Sequence, residues 1–285
     1  MIDAPMNDTI PSIDTPTLLE RYDGLLLDAF GVLVDKQGPL PGARELIDTL
    51  NAEAKPYFIL TNSASRLPET MERHYREQGL AIDTDHIISS GMLLDAHYAE
   101  YGLSGATTLV LGPDNAQEYA RRAGAEVVAM GQADEADVLV IADQAGFDLL
   151  EGMNQAMSLV LRQIDAGRPP RLVLCNPDII YPVAKGQYGF TAGGLAAMLE
   201  AILAERYPGE GFRFHRLGKP HAPIFAEGVG RLGSRNVVMV GDQLATDIRG
   251  ANDFGIDSAL IGTGLGKLSA SGGGPRPTWY LPGFA

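Results

Sequence analysis

Short, nearly unbroken apolar runs recur along this chain: GLLLDAF from Gly24, PYFILTN from Pro56, TTLVLG from Thr107, DVLVIAD from Asp137, RLVLCNP from Arg171, NVVMVGD from Asn236 and SALIGTG from Ser258. A strand that is apolar at successive positions must be buried on both faces, which is the condition of a parallel sheet covered by helices on either side. The stretches between them, including GARELIDTLNAE, LPETMERHYREQG, DNAQEYARRAG, TAGGLAAMLEAILAERY and APIFAEGVGRLG, carry helical spacing, and several finish on a glycine suited to a C-cap. Strands alternating with helices predict an α/β architecture. No internal repeat is visible.

At 285 residues and 45% hydrophobic content the chain can bury one large core or two modest ones. Its formal net charge of -14 excludes broad nucleic-acid binding, which needs a positive surface to displace counterions. A phosphate can still be bound by an acidic protein, through local donors or a metal ion. The single cysteine, Cys175, allows no intrachain disulfide and reads as a small buried hydrophobe at a strand end. The first residues, MIDAPMNDTIPSID, lack the basic start and apolar core of a signal peptide, and no apolar run is long enough to span a bilayer. A cytoplasmic protein without membrane partners is expected.

Open parallel sheets bind ligands at the carboxyl ends of their strands. Three of the apolar runs end in polar groups there: Asp28, the pair Thr61-Asn62, and Asp242. Each alone fits a turn or a helix cap; together they place two acids and a hydroxyl–amide pair at one sheet edge. Lys219, in LGKPHAPIF, is either a solvated loop residue or the positive charge that pairs with Asp28 and Asp242. Asp247, five positions after Asp242, is either a surface helix acid or a brace for Lys219 or a metal's water shell. These residues fall into an early and a late group, so the middle of the chain is expected to be an insertion. The predicted division is a core of residues 1–90 plus 207–285 and an inserted domain of 91–206. SASGGGPRP near the C-terminus has linker composition, and the apolar TWYLPGF after it is expected to dock back onto the fold.

Asp28 in DAFGVL, Thr61-Asn62 in LTNSASR, Lys219 in LGKP and the segment GDQLATD resemble, in order, the four motifs of the haloacid dehalogenase superfamily. NPDIIYPVAKGQYGFTAGGLAAMLEA is similar to the cap of its class IIA branch, which holds p-nitrophenyl, pyridoxal and sugar-phosphate phosphatases. The resemblance runs from about Tyr22 to about Gly264. It implies a Rossmannoid parallel-sheet core with helices on both faces and an inserted α/β cap of the C2 type. It further implies that Asp28 attacks phosphorus and becomes an aspartyl phosphate. One Mg²⁺ would be held by Asp28, the backbone carbonyl of Phe30 and Asp242, an oxygen-only set of the kind this hard cation prefers. Thr61, Asn62 and Lys219 would bind the phosphoryl oxygens, with Asp247 as a further catalytic residue. A small phosphorylated metabolite is the implied substrate, and a homodimer is common among relatives with this cap.

Phe30 departs from the pattern. Phosphatases of the family carry a second Asp there, which protonates the leaving oxygen and later deprotonates the attacking water, and a phenyl ring moves no proton. The favoured expectation is a Mg²⁺-dependent phosphohydrolase, either slow or suited to leaving groups that need no proton, with Asp35 as a candidate stand-in acid. A catalytically impaired phospho-ligand-binding or regulatory protein is the alternative. A metal-independent 2-haloacid dehalogenase, whose relatives do carry an aromatic at this position, fits less well: Asp28 to Thr61 is too short for the helical cap of those enzymes. Substrate recognition is expected in CNPDIIYP, through Asn176, Asp178 and Tyr181, although Asn-Pro-Asp is also ordinary turn chemistry. His74, His86, His97, His215 and His221 show no metal-ligand spacing and read as surface or helix residues. GVGRLG sits within a helix pattern rather than after a strand, which argues against dinucleotide binding.

Overall fold

The structure is a computed structural model that describes residues 10–132, 134–184, 186–262 and 274–284. The chain forms two compact units. The first takes in residues up to Ile59, Tyr75–Ile82 and the chain from Gly228 on; the second takes in Leu60–His74 and Asp83–Glu227. This division differs from the expected core of 1–90 plus 207–285 with a domain of 91–206. Thr61, Asn62 and Lys219 all fall in the second unit, where hydrogen bonds tie Asn62 to the main chain of Lys219.

In the first unit the strands Trp279–Leu281, Asp257–Ile261, Val237–Gly241, Gly24–Leu27 and Tyr57–Thr61 lie side by side in that order, each pair parallel. The last two residues of Tyr57–Thr61 count with the second unit. Gly24–Leu27 and Val237–Gly241 are buried at every position, as their apolar sequences require. The helix Thr15–Arg21 starts where the Asp14 carboxylate accepts the Thr17 N–H at 2.9 Å, with Pro16 in its first turn. The TWYLPGF segment does return to the fold: Trp279–Leu281 adds an edge strand, covered in turn by Ile13 N–H donating to Tyr280 O (2.9 Å). The Trp279 indole donates to the Tyr22 hydroxyl (2.6 Å), which donates to Asp257 (2.7 Å). The part of the predicted linker from Ser269 to Gly273 lies outside the described residues, as does most of the N-terminal segment.

The second unit has its own parallel sheet, in the order His215–Arg216, Arg171–Leu174, Val138–Ile141, Thr107–Leu111, Glu126–Val128. Its core joins Leu111, Leu139, Ile141 and Leu174 to Val160 of the helix Leu149–Asp165 and to Leu195 and Leu199 of the helix Ala192–Arg206. Cys175 is fully buried, and burial pushes its thiol pKa up to about 12, in keeping with a packing residue. A two-stranded antiparallel hairpin, Ile180–Ala184 with Gln187–Phe190, begins within the segment read as a recognition loop and takes up its last three residues. GVGRLG begins inside the helix Ala222–Leu232, as expected. No described helix is long and apolar enough to cross a membrane.

Of the histidines read as surface or helix residues, His97 lies on a helix but is buried, and His215 is half-buried on the strand His215–Arg216. His97, on the helix Leu93–Tyr101, is only 3% exposed, and neither ring nitrogen has a hydrogen-bond partner. Its ring packs on His215 (centroids 4.6 Å apart) and on Tyr101 (4.7 Å). Desolvation, aided by the facing charges of His215 and Arg171, holds its pKa down to about 4 against an ordinary 6.5. Above pH 6.5 the ring is neutral folded or unfolded; below it the unfolded chain takes up the proton first, so stability falls as the pH drops toward 4. The loss is on the order of 3 kcal/mol when complete. We expect urea unfolding at pH 7.5 and pH 5 to show a smaller acid-induced loss for His97→Phe than for the unmodified chain. Equal losses in both proteins would show that His97 is not the source.

Candidate active site

In the first unit the parallel register aligns Leu27 with Val240, and the Asp28 N–H donates to Val240 O at 2.9 Å. The chain ends of these neighbouring strands are therefore flush, and Asp28 and Asp242 emerge together. After Val237–Gly241 the chain makes a π-helical turn, Leu244–Ile248, that runs into the helix Arg249–Phe254. The turn brings Asp247 back over the strand end, where its carboxylate accepts the Gln243 N–H at 3.1 Å. Asp247 is fully buried, which overturns the reading of it as a surface helix acid.

Asp28, Asp242 and Asp247 each offer a carboxylate oxygen, and these oxygens lie within 4.8 Å of one another. All three residues are buried. Two unit charges at that spacing repel by ~3 kcal/mol at an effective dielectric near 20, so the ionised cluster needs positive charge among its oxygens. The donor set is oxygen alone, with no imidazole or thiolate, which fits a hard divalent cation.

Two glycines make this packing possible, and neither was singled out for it from sequence. Gly31 has φ +90°, and a Cβ built there would lie 2.3 Å from Asp242 Oδ2. A Cβ on Gly241 would lie 2.2 Å from the Asp247 Cβ. Their role depends on which carboxylate approaches them, and no local pattern encodes that.

Between these groups runs the turn that holds Phe30. Gly31 N–H donates to Val34 O (2.8 Å), and Leu33 and Val34 N–H both donate to Ala29 O (2.9 and 3.0 Å). None of these bonds uses the Phe30 carbonyl. The Phe30 ring is 42% exposed. Asp35, the candidate stand-in acid, accepts the Gln37 and Gly38 N–H groups (2.6 and 3.2 Å), which is turn chemistry.

The other expected site residues gather in the second unit around Asn62. Its side-chain oxygen accepts the Lys219 N–H at 2.7 Å, while its amide nitrogen donates to Lys219 O and to Asp178 Oδ1, both at 2.9 Å. Ser90 Oγ donates to Asn62 O (2.7 Å), and Thr61 Oγ1 accepts the Ser63 N–H (3.2 Å). Asn62 thus clamps the main chain of Lys219, and this bonding is why Thr61, Asn62 and Lys219 group together. Lys219 is only 3% exposed, so it is not a solvated loop residue. Gly218 permits the approach: a Cβ there would lie 2.5 Å from Asn62 Oδ1. Asn176 uses its side chain on the Asp178 N–H (3.0 Å), an Asx turn. Tyr181 is 42% exposed and pairs with Gly189 in the hairpin, with its ring over that glycine.

Comparison with known proteins gives this arrangement its context. A solved structure of a possible sugar phosphatase from Cytophaga hutchinsonii is 32% identical, with 97% of this chain and 99% of that one covered and a TM-score of 0.81. This chain belongs to the haloacid dehalogenase superfamily. Family models described as haloacid dehalogenase-like hydrolase and HAD-hydrolase-like match residues 25–126 and 216–285 of this superfamily member. An acid sugar phosphatase of Staphylococcus haemolyticus is 26% identical over 87% of this chain and 88% of its own length. The glycerol phosphate phosphatase of Mycobacterium tuberculosis, solved in complex with magnesium, shares the fold at a TM-score of 0.75 and 24% identity, over 92% of this chain and 75% of that one.

The glycine contacts yield a direct test. Gly31→Ala and Gly241→Ala are each expected to lower stability by ~1–3 kcal/mol in chemical denaturation, since each puts a methyl group into a buried carboxylate. Gly230→Ala, in the helix Ala222–Leu232 with nothing near its added Cβ, is the control and should be neutral or stabilising. Unchanged stability of the first two variants would mean that the carboxylates are not held as described.

Proposed function

We propose that this hydrolase is a magnesium-dependent phosphohydrolase of small phosphorylated metabolites, working through an aspartyl phosphate on Asp28 at a rate limited by Phe30. The observation that carries the reading is the convergence of three buried carboxylates at the ends of two adjacent parallel strands. Asp28, Asp242 and the Phe30 carbonyl would hold the Mg²⁺, which when bound offsets the repulsion between an anionic nucleophile and an anionic substrate.

In this reading Asp28 attacks phosphorus, the bond from phosphorus to the leaving oxygen breaks, and the phosphoryl group passes to the carboxylate. Water then attacks the aspartyl phosphate, releasing inorganic phosphate and restoring Asp28. Thr61 and the N–H groups of its turn hold phosphoryl oxygens, and Lys219, fixed through its main chain by Asn62, supplies positive charge to them. Asp247 fixes the strand end from which Asp242 projects. Asn62 and Asp178 act on substrate through the position they give Lys219, and Asn176 through the turn that carries Asp178. Neither proton transfer has a donor or acceptor at position 30, so substrates with good leaving groups are favoured. The named relatives point to sugar and glycerol phosphates as the natural class. A binding protein that does not turn over is the second reading, favoured by Phe30 alone. The carboxylate cluster weighs against a metal-free dehalogenase.

Turnover of p-nitrophenyl phosphate and acetyl phosphate, with and without Mg²⁺, tests the proposal. Metal-dependent release of phosphate, abolished by Asp28→Asn, is the expected result. Phe30→Asp should raise kcat by ~10²–10⁴, the usual worth of general acid–base help. Absence of activity in both the unmodified chain and Phe30→Asp would favour the binding reading.

A further inference from the structure

The parallel sheet of the second unit has two ends. Asn176, Asp178 and Lys219 follow its carboxyl ends, whereas Arg171 and His215 are the first residues of their strands at the amino end. At that amino end lies a cleft of about 660 Å³, lined among others by Arg171, Arg213, His215, Pro169 and Pro170.

This cleft is unusual for its charge. The chain carries 36 acidic residues against 22 lysines and arginines. Several other arginines of the second unit are ion-paired, among them Arg168 with Glu135, Arg206 with Asp165 and Arg216 with Glu200, whereas Arg162 donates to the Asp134 carbonyl. Among the described residues neither Arg171 nor Arg213 has a carboxylate partner. The Arg171 guanidinium carbon lies over the Tyr101 ring, 3.7 Å from its centroid, a contact that orients the head group without using its N–H donors. The Arg213 head group donates only to Phe212 O (2.8 Å). The one carboxylate in the lining, Asp137, accepts the Thr107 N–H at 2.8 Å.

His215 completes the set. Its ring is held by packing on His97 and, edge-on at 6.0 Å, by Tyr101, and neither of its nitrogens forms a hydrogen bond among the described residues. The buried, unbonded His97 behind it acts as an aromatic wall and cannot take its proton while folded at neutral pH. Burial and Arg171 lower the His215 pKa, and Glu100 opposes them. Two guanidinium groups and an imidazole with unused donors thus edge one cleft backed by rings and prolines.

We propose that this cleft binds the oxyanion group, phosphoryl or carboxyl, of a small metabolite, with Arg171 and Arg213 as its charged donors and His215 as a third donor once protonated. Arginine suits this task because its planar fork meets an oxyanion through two parallel bonds. The cleft sits at the sheet end opposite Lys219, so its occupant is an effector rather than the substrate; that role rests on the catalytic reading, whereas oxyanion binding at the cleft does not.

The test is ¹⁵N–¹H NMR of the histidine side chains in the full chain, with His215 assigned through His215→Asn. Inorganic phosphate and malonate are the two probes, each compared with chloride at equal ionic strength. An oxyanion beside the imidazole should raise the His215 titration midpoint by ~1 pH unit. Arg171→Gln/Arg213→Gln should remove that shift, and Arg213→Gln alone, at an exposed position, should weaken it if the double variant does not fold. The larger response identifies the group preferred. A midpoint unmoved by either probe, reproduced by chloride, or still shifted in the arginine variants would overturn the proposal.

Discussion

Mutual repulsion among three buried carboxylates is the constraint around which the first unit is built. Oxygens of Asp28, Asp242 and Asp247 share a space less than 5 Å across, within the 4.8 Å spacing of the cluster. No chain gathers such charges for stability alone, because ionised groups out of water cost several kcal/mol each unless compensated. Every local feature nonetheless favours the gathering. The parallel register makes two strand ends flush, the π-helical turn folds Asp247 back, and Gly31 and Gly241 leave out the methyl groups that would keep the carboxylates apart. Such features belong together when positive charge is to be held there.

The second unit handles its own polar burden differently. Lys219 is buried, and its main chain is gripped on both sides by one amide, that of Asn62. Asp178 engages the same amide, and the Asn176 turn positions Asp178. These bonds fix the backbone from which the Lys219 side chain starts, so ordering that side chain costs less entropy than it would on a mobile loop. In the first unit, the phenyl ring of Phe30 offers no proton carrier, and its carbonyl takes no part in the backbone hydrogen bonds of its turn among the described residues.

Much of this was legible in the sequence, and the exceptions have identifiable causes. Strands such as VLVI and VVMVG announce themselves because burial on both faces demands apolar residues at every position. Asp28 and Asp242 stand out as acids ending such strands. Asp247 remained ambiguous because its five-residue spacing suits a surface helix unless the first turn is π-helical. The helix Leu149–Asp165 is weakly marked in the sequence at its start, where Gly152 breaks the helical pattern. That glycine is there for packing: a Cβ would lie 2.5 Å from the Phe147 ring. Turn-forming residues hid the hairpin, Pro182 and Gly189 among them. The grouping of Thr61, Asn62 and Lys219 in one compact unit is invisible in a linear reading, because the hydrogen bonds from Asn62 to Lys219 join positions 157 residues apart. His97 and His215 likewise meet only in three dimensions.

Titration with Mn²⁺, followed by electron paramagnetic resonance of the free ion, tests most directly whether the three carboxylates form a cation site. One tightly bound ion per chain, displaced by Mg²⁺ and lost in Asp242→Asn, is the result this account predicts. A chain that leaves all the Mn²⁺ free in solution, or binds it equally well without Asp242, would contradict it.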